Sequence, residues 1–559
     1  MISALLLALF PLQEPAGQVR AFDPKTVIDA EVLADELDLA LHWLHTRFDK
    51  EGGTYGGLTA DAWAVLAFAE APRKYRPADG PFLARPMANL LAAQQPDGSV
   101  RGLDSMLAWR AFDAVPDAAP RAAAEKLRAQ LGATSPCAKP ASVEAALAHA
   151  QELLISRKPN GSFGDVVASA QAIHELDHCH ALLKEHEPKA APRATQALPR
   201  FSPPSAAEID AALLRGARFL LTQRVDGGWG FGGQRDAGIT AMVVGGLLEV
   251  RERPSEVQAA TVQALDALLA LQHADGSIHD GQLANYVTSA SVLALAKSGR
   301  PQDLAAVQKA RAFLVALQAD EGEGYSSENR FYGGVGYGDD EKPDLSNMQH
   351  ALEALNAAGL SKGDATYQKA LAFLQRCQNR SESNDLALVR DGQTFVSGND
   401  GGATYAPADS KAGFYELADG KRVPRSYGSM SYALLKCYLF AGLDKSDARV
   451  QAVWKWIREN YTLDVNPGFQ FSDDPAASYH GLFYYFHTMA KALALYGDAR
   501  VTDAAGVEHD WRAELCGRLV AMQRGDGSWL NENSPRWFEG NPSLATAYAL
   551  MTLGAARAK

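Results

Sequence analysis

A chain of 559 residues, 47% of them hydrophobic and 21% charged, has ample apolar material to bury, and no tract has the composition of a disordered tail. With 54 basic against 66 acidic residues, a formal charge of −12 and no Lys/Arg block, it lacks an electrostatic footprint for nucleic acid or anionic lipid. Cys137, Cys179, Cys377, Cys437 and Cys516 are scattered, without Cys-x-x-Cys spacing, which argues against a disulfide framework or zinc ribbon and for small core residues.

At the N-terminus, Ile2 to Phe10 is a short apolar run closed by Pro11, similar to the h-region of a signal peptide, although no Lys or Arg precedes it and no clear small-x-small site follows. The expectation is a signal peptide over residues 1–20 and an exported, periplasmic protein; the alternative is a cytoplasmic protein with a docked hydrophobic N-terminus. No later segment reaches the roughly 18 consecutive apolar residues of a membrane span.

Residues 21–204 carry weak copies of an internal repeat, at Asp49 to Tyr55, at Gln94 to Ser99 and at Asn160 to Gly164. Ala118 to Ser142 and Leu183 to Ala207 are rich in Ala, Pro and charge, and Pro188, Pro192, Pro199, Pro203 and Pro204 break the second, which makes it the expected domain boundary. Between these stretches, His174-Glu175-Leu176-Asp177-His178 is an HExxH pattern that sets two imidazoles on one helix face. Asp177 puts a charge where zinc peptidases usually have none, so the reading is a polar outer-helix face, with no metal and no cofactor expected.

From residue 205 to 559 the repeat is strong. Arg218 to Gly230, Leu268 to Ser277 and Leu519 to Trp529 each read as an Ala/Leu-rich helix, a Gln, an Asp-Gly turn and a glycine or serine, followed in two copies by Trp. Weaker copies lie around Gln318 to Tyr325, Gln375 and Asn460, making about nine units of roughly 50 residues. Asp-Gly supplies the left-handed turn, and the aromatic packs on the preceding helix end. The second helix of each unit is apolar nearly all round and is expected to open on Thr240, Ser289, Ser429 or Ser543 as its cap, while first helices such as Ser255 to Leu271 keep a polar face. The pattern predicts an all-α (α/α) toroid with inner and outer layers and a Gly/Asp/Ser-rich insertion at 379–421 serving as a lid or rim loop.

Three loop–helix junctions at one mouth of such a ring carry polar and aromatic residues. Tyr325 to Asn347 holds Tyr337, Asp339, Asp340 and Asp344; Tyr479 to Thr488 holds Phe483, Tyr484 and His487; Arg536 to Glu539 holds Trp537. Asp344, Asp340, Asp339 and His487 are the candidate acids and bases, and Tyr337, Tyr427, Tyr432, Phe483, Tyr484 and Trp537 the candidate ligand-binding residues.

Gln223 to Trp229 and Gln523 to Trp529 resemble the QW motifs of squalene-hopene and oxidosqualene cyclases, whose (α/α) barrels are shared by protein prenyltransferase β subunits. Asn399 to Tyr405, Arg425 to Ala433, Phe483 to His487 and Arg536 to Ala549 further resemble bacterial prenyltransferase/squalene-oxidase repeat proteins, whose activity the resemblance leaves unassigned. It implies a terpene-cyclase-like barrel and an isoprenoid-like, apolar ligand. Squalene cyclases keep Asp-x-Asp-Asp-Thr at the start of an inner helix; the matching positions here are Asp344-Leu345-Ser346-Asn347-Met348, so Ser346 stands in place of the alkene-protonating acid. Prenyltransferase chemistry needs an Asp, Cys, His zinc site. Cys437 and His487 fall on expected inner helices, but the only Asp-x-Cys pair, Asp177 and Cys179, lies in the weakly repetitive half.

Three functions stay open: an isoprenoid-binding or isoprenoid-transforming barrel; a non-catalytic toroid that binds a protein or an envelope component, including peripheral membrane association; and a glycan hydrolase or lyase with Asp339, Asp340 and Glu539 as paired carboxylates.

Overall fold

The computed structural model describes residues 22, 24, 26–131, 140, 142–158, 160–187, 194–231, 233–281, 283–338 and 342–557. The apolar run Ile2 to Phe10, Cys137, Asp339 and Asp340 lie outside them.

Seven helices form an N-terminal unit: α1 (Ala30–His45), α2 (Leu58–Glu70), α3 (Pro81–Ala92), α4 (Ser105–Asp113), α5 (Ala118–Leu131), α6 (Val143–Ser156) and α7 (Val166–His186). They share one apolar core built around Leu37, Phe68, Phe112 and Ile173. A second, separate core belongs to the rest of the chain, around residues such as Trp229, Tyr367, Tyr438 and Trp529.

In that second part, six outer helices alternate with six inner ones. The outer helices are α8 (Ala206–Thr222), α10 (Ser255–Leu269), α12 (Leu304–Ala316), α14 (Ala365–Cys377), α16 (Ala448–Glu459) and α18 (Trp511–Met522). The inner ones are α9 (Ala237–Leu247), α11 (Ala284–Ser298), α13 (Leu345–Ala357), α15 (Gly428–Phe440), α17 (Leu482–Tyr496) and α19 (Pro542–Ala556). Each inner helix packs on the next, and α19 packs back on α9, so the ring closes. The protein is an all-α fold whose barrel is the two-layered toroid that the patterning predicts. The inner helices bury nearly every side chain, as α19 does from Ser543 to Leu553, because one face meets the lumen and the other the outer layer.

The repeated turn is a joint between successive outer helices. Gln272 Nε2 donates to the carbonyl of Gly276 in its own turn, at 3.1 Å, and to that of Ala306 in the next outer helix, at 2.9 Å. Gln318, Gln378 and Gln523 repeat the arrangement. Gln523 reaches Ala212 in α8 and so ties the last hairpin to the first. The turn glycine is obligatory at Gly527, where φ is +90° and a Cβ would stand 2.7 Å from the Arg215 carbonyl oxygen of α8. The Trp529 indole donates to Leu519 O at 2.8 Å and is fully buried. Withdrawing a ring of about 150–250 Å² from water contributes roughly 4–6 kcal/mol.

The expected caps are displaced. Thr240 and Ser289 lie within their helices, and Ser429 and Ser543 are second residues, while Asp236, Leu283, Tyr427 and Asn541 hold the N-cap positions. The hydroxyl one turn inside faces backwards instead. Thr240 accepts from Trp229 N, Thr288 from Ile278 N, Ser431 from Ala403 N and Thr546 from Trp529 N, at 2.9–3.0 Å, which satisfies the amide that follows each turn.

Short strands interrupt the helices: β1 (Gly230–Phe231) with β2 (Gln234–Arg235), then β3 (Ala387–Arg390), β4 (Gln393–Val396), β5 (Phe414–Glu416) and β6 (Arg422–Pro424), and finally β7 (Val501–Thr502) with β8 (Glu508–His509). The 379–421 insertion folds into a small sheet of order β3-β4-β6-β5 rather than an open loop. It reaches the N-terminal unit through Asp391, 3.0 Å from Arg76, and nearby Asp79 is buried between Arg330 and Lys342 of the barrel. Among the described residues no helix is long and apolar enough to cross a membrane.

Candidate functional site

The N-termini of the inner helices surround a chamber of ≈ 430 Å³. Its lining holds six tyrosines (Tyr286, Tyr337, Tyr405, Tyr427, Tyr484 and Tyr548), together with Trp537, Phe231 and Phe538. Hydroxyl pairs knit the floor: Tyr286 and Tyr548 are 3.1 Å apart, and Tyr484 takes a hydrogen bond from Gln349 Nε2 at 3.2 Å and shares another with Ser346. Burial pushes the tyrosines of this floor up, so Tyr286, Tyr484 and Tyr548 present neutral hydroxyls and ring faces.

The mouth is apolar and conformationally strained. Phe231, Leu283 and Phe538 are 38%, 45% and 62% exposed, and the rings of Phe231 and Phe538 touch at 5.3 Å. Leu283, Trp537 and Phe538 sit at φ of 49°, 56° and 61°, the left-handed region that costs a non-glycine residue of order 1 kcal/mol and gathers at functional sites. Trp537 is braced by Phe469 and His480, with centroids at 6.2 and 5.7 Å.

Charge enters this apolar wall at three points. Asp236 caps α9 through Ile239 N at 2.7 Å, and neighbouring Asp280 accepts from Ala237 N at 3.1 Å. Burial pushes the Asp236 carboxyl above its ordinary range and Asp280 adds to the push, against the amides of Ile239 and Gly238. Opposite them, Lys411 lies 4.2 Å from the centre of the Tyr405 ring.

The candidate residues divide on this geometry. Tyr337, Tyr427, Tyr484 and Trp537 line the chamber together, with Ser346. Tyr432 and Phe483 do not: Tyr432 packs on Tyr485 and Phe483 on Phe486, inside the barrel wall, because successive aromatics on a helix must point around its whole circumference. Asp344 is 2% exposed and caps α13, accepting from Asn347 N and Nδ2 at 2.9 and 2.8 Å. Burial pushes its carboxyl up, and it meets the chamber only through the Tyr405 hydroxyl. His487 faces a different cavity, at the far end of the inner helices. Asp339 and Asp340 lie outside the described residues. Glu539, paired with them in the glycan reading, is fully buried against the start of α17, where Gly481 supplies no capping side chain. It accepts from Tyr484 N at 2.8 Å and Asn531 Nδ2 at 2.7 Å, and burial pushes it up to about 7. It is a cap supplied by a neighbouring loop.

Sequence reasoning missed Asp236, Asp280, Tyr286 and Tyr405. Asp236 was findable: it stands four residues before Thr240, where the first turn of α9 needs an acceptor. Tyr286 and Tyr405 carry no local signal, since only ring closure brings them beside Tyr548 and Tyr427.

In the N-terminal unit, the HExxH segment does not use its glutamate. Glu175 faces outward to His149 at 2.8 Å, while Glu70 of α2 approaches His174 Nδ1 at 2.6 Å and His178 Nε2 at 3.7 Å. Among the described residues these three side chains have potential metal-ligand atoms within 4.8 Å of one another. Arg110 contacts the other ring nitrogen of His174, so a cation must displace one of two existing partners.

No family model matches the chain, and no curated protein does. Among solved structures it is similar to the type II terpene cyclase MstE from Scytonema, in a complex with geranylgeranyl dihydroxybenzoate, at 16% identity over 63% of this chain and 97% of that one, with a TM-score of 0.38. It is similar to a protein from Actinoplanes at 16% identity over 62% and 99%, TM-score 0.36. An ent-copalyl diphosphate synthase from Streptomyces platensis matches at 14% identity over 84% and 100%, TM-score 0.26. Likenesses this distant lend the chain neither a substrate nor a reaction.

Proposed function

We propose that the barrel binds a compact isoprenoid-like molecule in its aromatic chamber, and that any proton the chemistry needs comes from Asp236. One observation carries the reading: nine aromatic rings, six of them tyrosines, face one ≈ 430 Å³ space with an apolar mouth. Ring faces of this density favour an apolar guest and stabilise positive charge developing on it, by cation–π attraction. Ser346 cannot protonate an alkene, and Asp344 is not among the residues that line the chamber. Asp236 both lines the space and has a carboxyl displaced toward the protonated form.

The test is native mass spectrometry of the full chain with lipid extraction, followed by incubation with squalene, oxidosqualene and geranylgeranyl diphosphate. Retained isoprenoid or a cyclised product is expected; neither product nor retained lipid would overturn the reading. A glycan-active enzyme is favoured by a separate observation, the two carboxylates Asp236 and Asp280 facing one chamber. Reducing ends released from a polysaccharide panel, and lost in Asp236→Asn, would decide for it.

A further inference from the structure

At the opposite end of the inner helices lies a second cavity, of ≈ 380 Å³. Its lining combines apolar side chains, Met242, Leu293, Phe440 and Met551 among them, with Glu249, Lys297, His350, Glu353, His487 and Lys491. His350 and His487 are 2% and 4% exposed, yet neither nitrogen of His350 and not Nδ1 of His487 has a hydrogen-bond partner. Buried imidazoles left unpaired against a cavity cost stability unless something in the cavity pairs with them.

The inventory of donors and acceptors says what that something is. Glu353 is spoken for, with Lys491 on one oxygen at 2.8 Å and Lys436 on the other at 2.5 Å, and Glu249 holds Lys297. Lys297 and Lys491 each have three N–H groups, so donors remain at the cavity wall after both lysines have met their glutamates. Counting Lys436 behind the wall, three lysines face two glutamates, one positive charge in excess. The field has that sign at the histidines: burial holds both well below the ordinary imidazole range, and Lys436 and Lys491 push them further. Among the described residues no arginine and no helix N-terminus contributes to the cavity's lining, the two groups by which phosphate is ordinarily held.

We propose that this cavity is a second binding site, for a small monocarboxylic acid, its carboxylate on Lys297 and Lys491, its body against Met242, Phe440 and Met551, and its spare oxygen on the imidazoles. The site is distinct from the aromatic chamber. Met242 borders both spaces, and His350 and His487 approach the chamber's tyrosines from the second cavity, the His350 ring 4.8 Å from Tyr286 and the His487 ring 5.6 Å from Tyr548.

Hexanoate and benzoate are the probes, with inorganic phosphate and hexylamine as contrasts, measured on the full-length chain by calorimetry and by the histidine ring NMR signals. Both carboxylates are expected to bind and to shift the His350 and His487 signals. Gly245→Leu should block them, since Gly245 lines the cavity and a Cβ there meets only the flexible Met551 side chain, and Lys491→Met should weaken them about tenfold while Glu353 keeps Lys436. Trp537→Ala, in the other chamber, should leave them unchanged. No binding up to about 10 mM, which is weaker than about −3 kcal/mol, would overturn the proposal. So would binding that survives Gly245→Leu with the variant's fold intact, binding lost only in Trp537→Ala, or preference for phosphate or hexylamine.

Discussion

The hydroxyl of Ser346 lies 3.0 Å from that of Tyr484, at the position where the resemblance to squalene cyclases calls for an acid. Ser346 is one half of a neutral hydroxyl pair. Tyr484→Phe leaves Ser346 and Gln349 Nε2 without their shared partner, at a cost of about 1–3 kcal/mol. Because Ser346→Ala removes the same contact, the double variant should be less destabilised than the sum of the two singles by roughly 0.5–1.5 kcal/mol, read by urea unfolding. Strict additivity would show that the pair contributes nothing.

Phe538 is strained and 62% exposed, so its ring contributes to the mouth more than to the core. Phe538→Gly relieves the left-handed strain and should raise stability by about 0.5–1 kcal/mol. Retention of isoprenoid should fall in the same variant. Thermal melting and lipid extraction on one preparation read both effects, and a loss of stability would contradict the strain argument.

Acid should weaken the barrel through its neutral histidines. Burial first, then the lysines, lower His350 to about 3, while an unfolded imidazole titrates near 6.5. A depressed folded value means that this histidine's stabilising contribution is complete above 6.5 and is lost as pH falls from 6.5 toward 3, since only the unfolded chain takes up the proton. Between pH 7.5 and 5.5 the loss through His350 is about 1.4 kcal/mol, and His350→Met should reduce the measured pH dependence of urea unfolding by about that amount. An unchanged slope would mean that His350 titrates in the folded protein as it does in the unfolded chain.

Gln523→Leu should be far more costly than Gln223→Leu. Gln523 joins Ala212 and Gly527, leaving two carbonyls to lose their donor, whereas the Gln223 amide reaches only Thr222 Oγ1 at an exposed site. The expected difference is about 1–3 kcal/mol in denaturant unfolding. Equal costs would show that the joint is ornamental.

Whatever repeats could be read from the sequence. Gln272 and Gly276 have counterparts along the chain because four of the barrel's hairpins, those of Gln272, Gln318, Gln378 and Gln523, solve the same joint with the same chemistry, so helix order and layering were legible. What happens once was not. Leu283 gives no sign that it takes a left-handed conformation at a helix start, and nothing near Glu539 announces that its carboxylate closes a helix 55 residues away in the chain. Four aromatics in a row, Phe483 to Phe486, told only that some face inward; in the fold Tyr484 lines the chamber and Phe483 packs on Phe486 in the wall.

Gln523 and Ala212 meet across 311 residues of chain. A linear array of hairpins can add units one at a time, each finished when its neighbour arrives. A ring cannot. During synthesis the open side of α8 and α9 waits through four further hairpins for α18 and α19 to emerge, with apolar surface bare for the whole interval. The last hairpin thus decides whether the barrel made before it is protein or aggregate, and a ribosome that stops short of Trp529 releases a barrel with a missing stave.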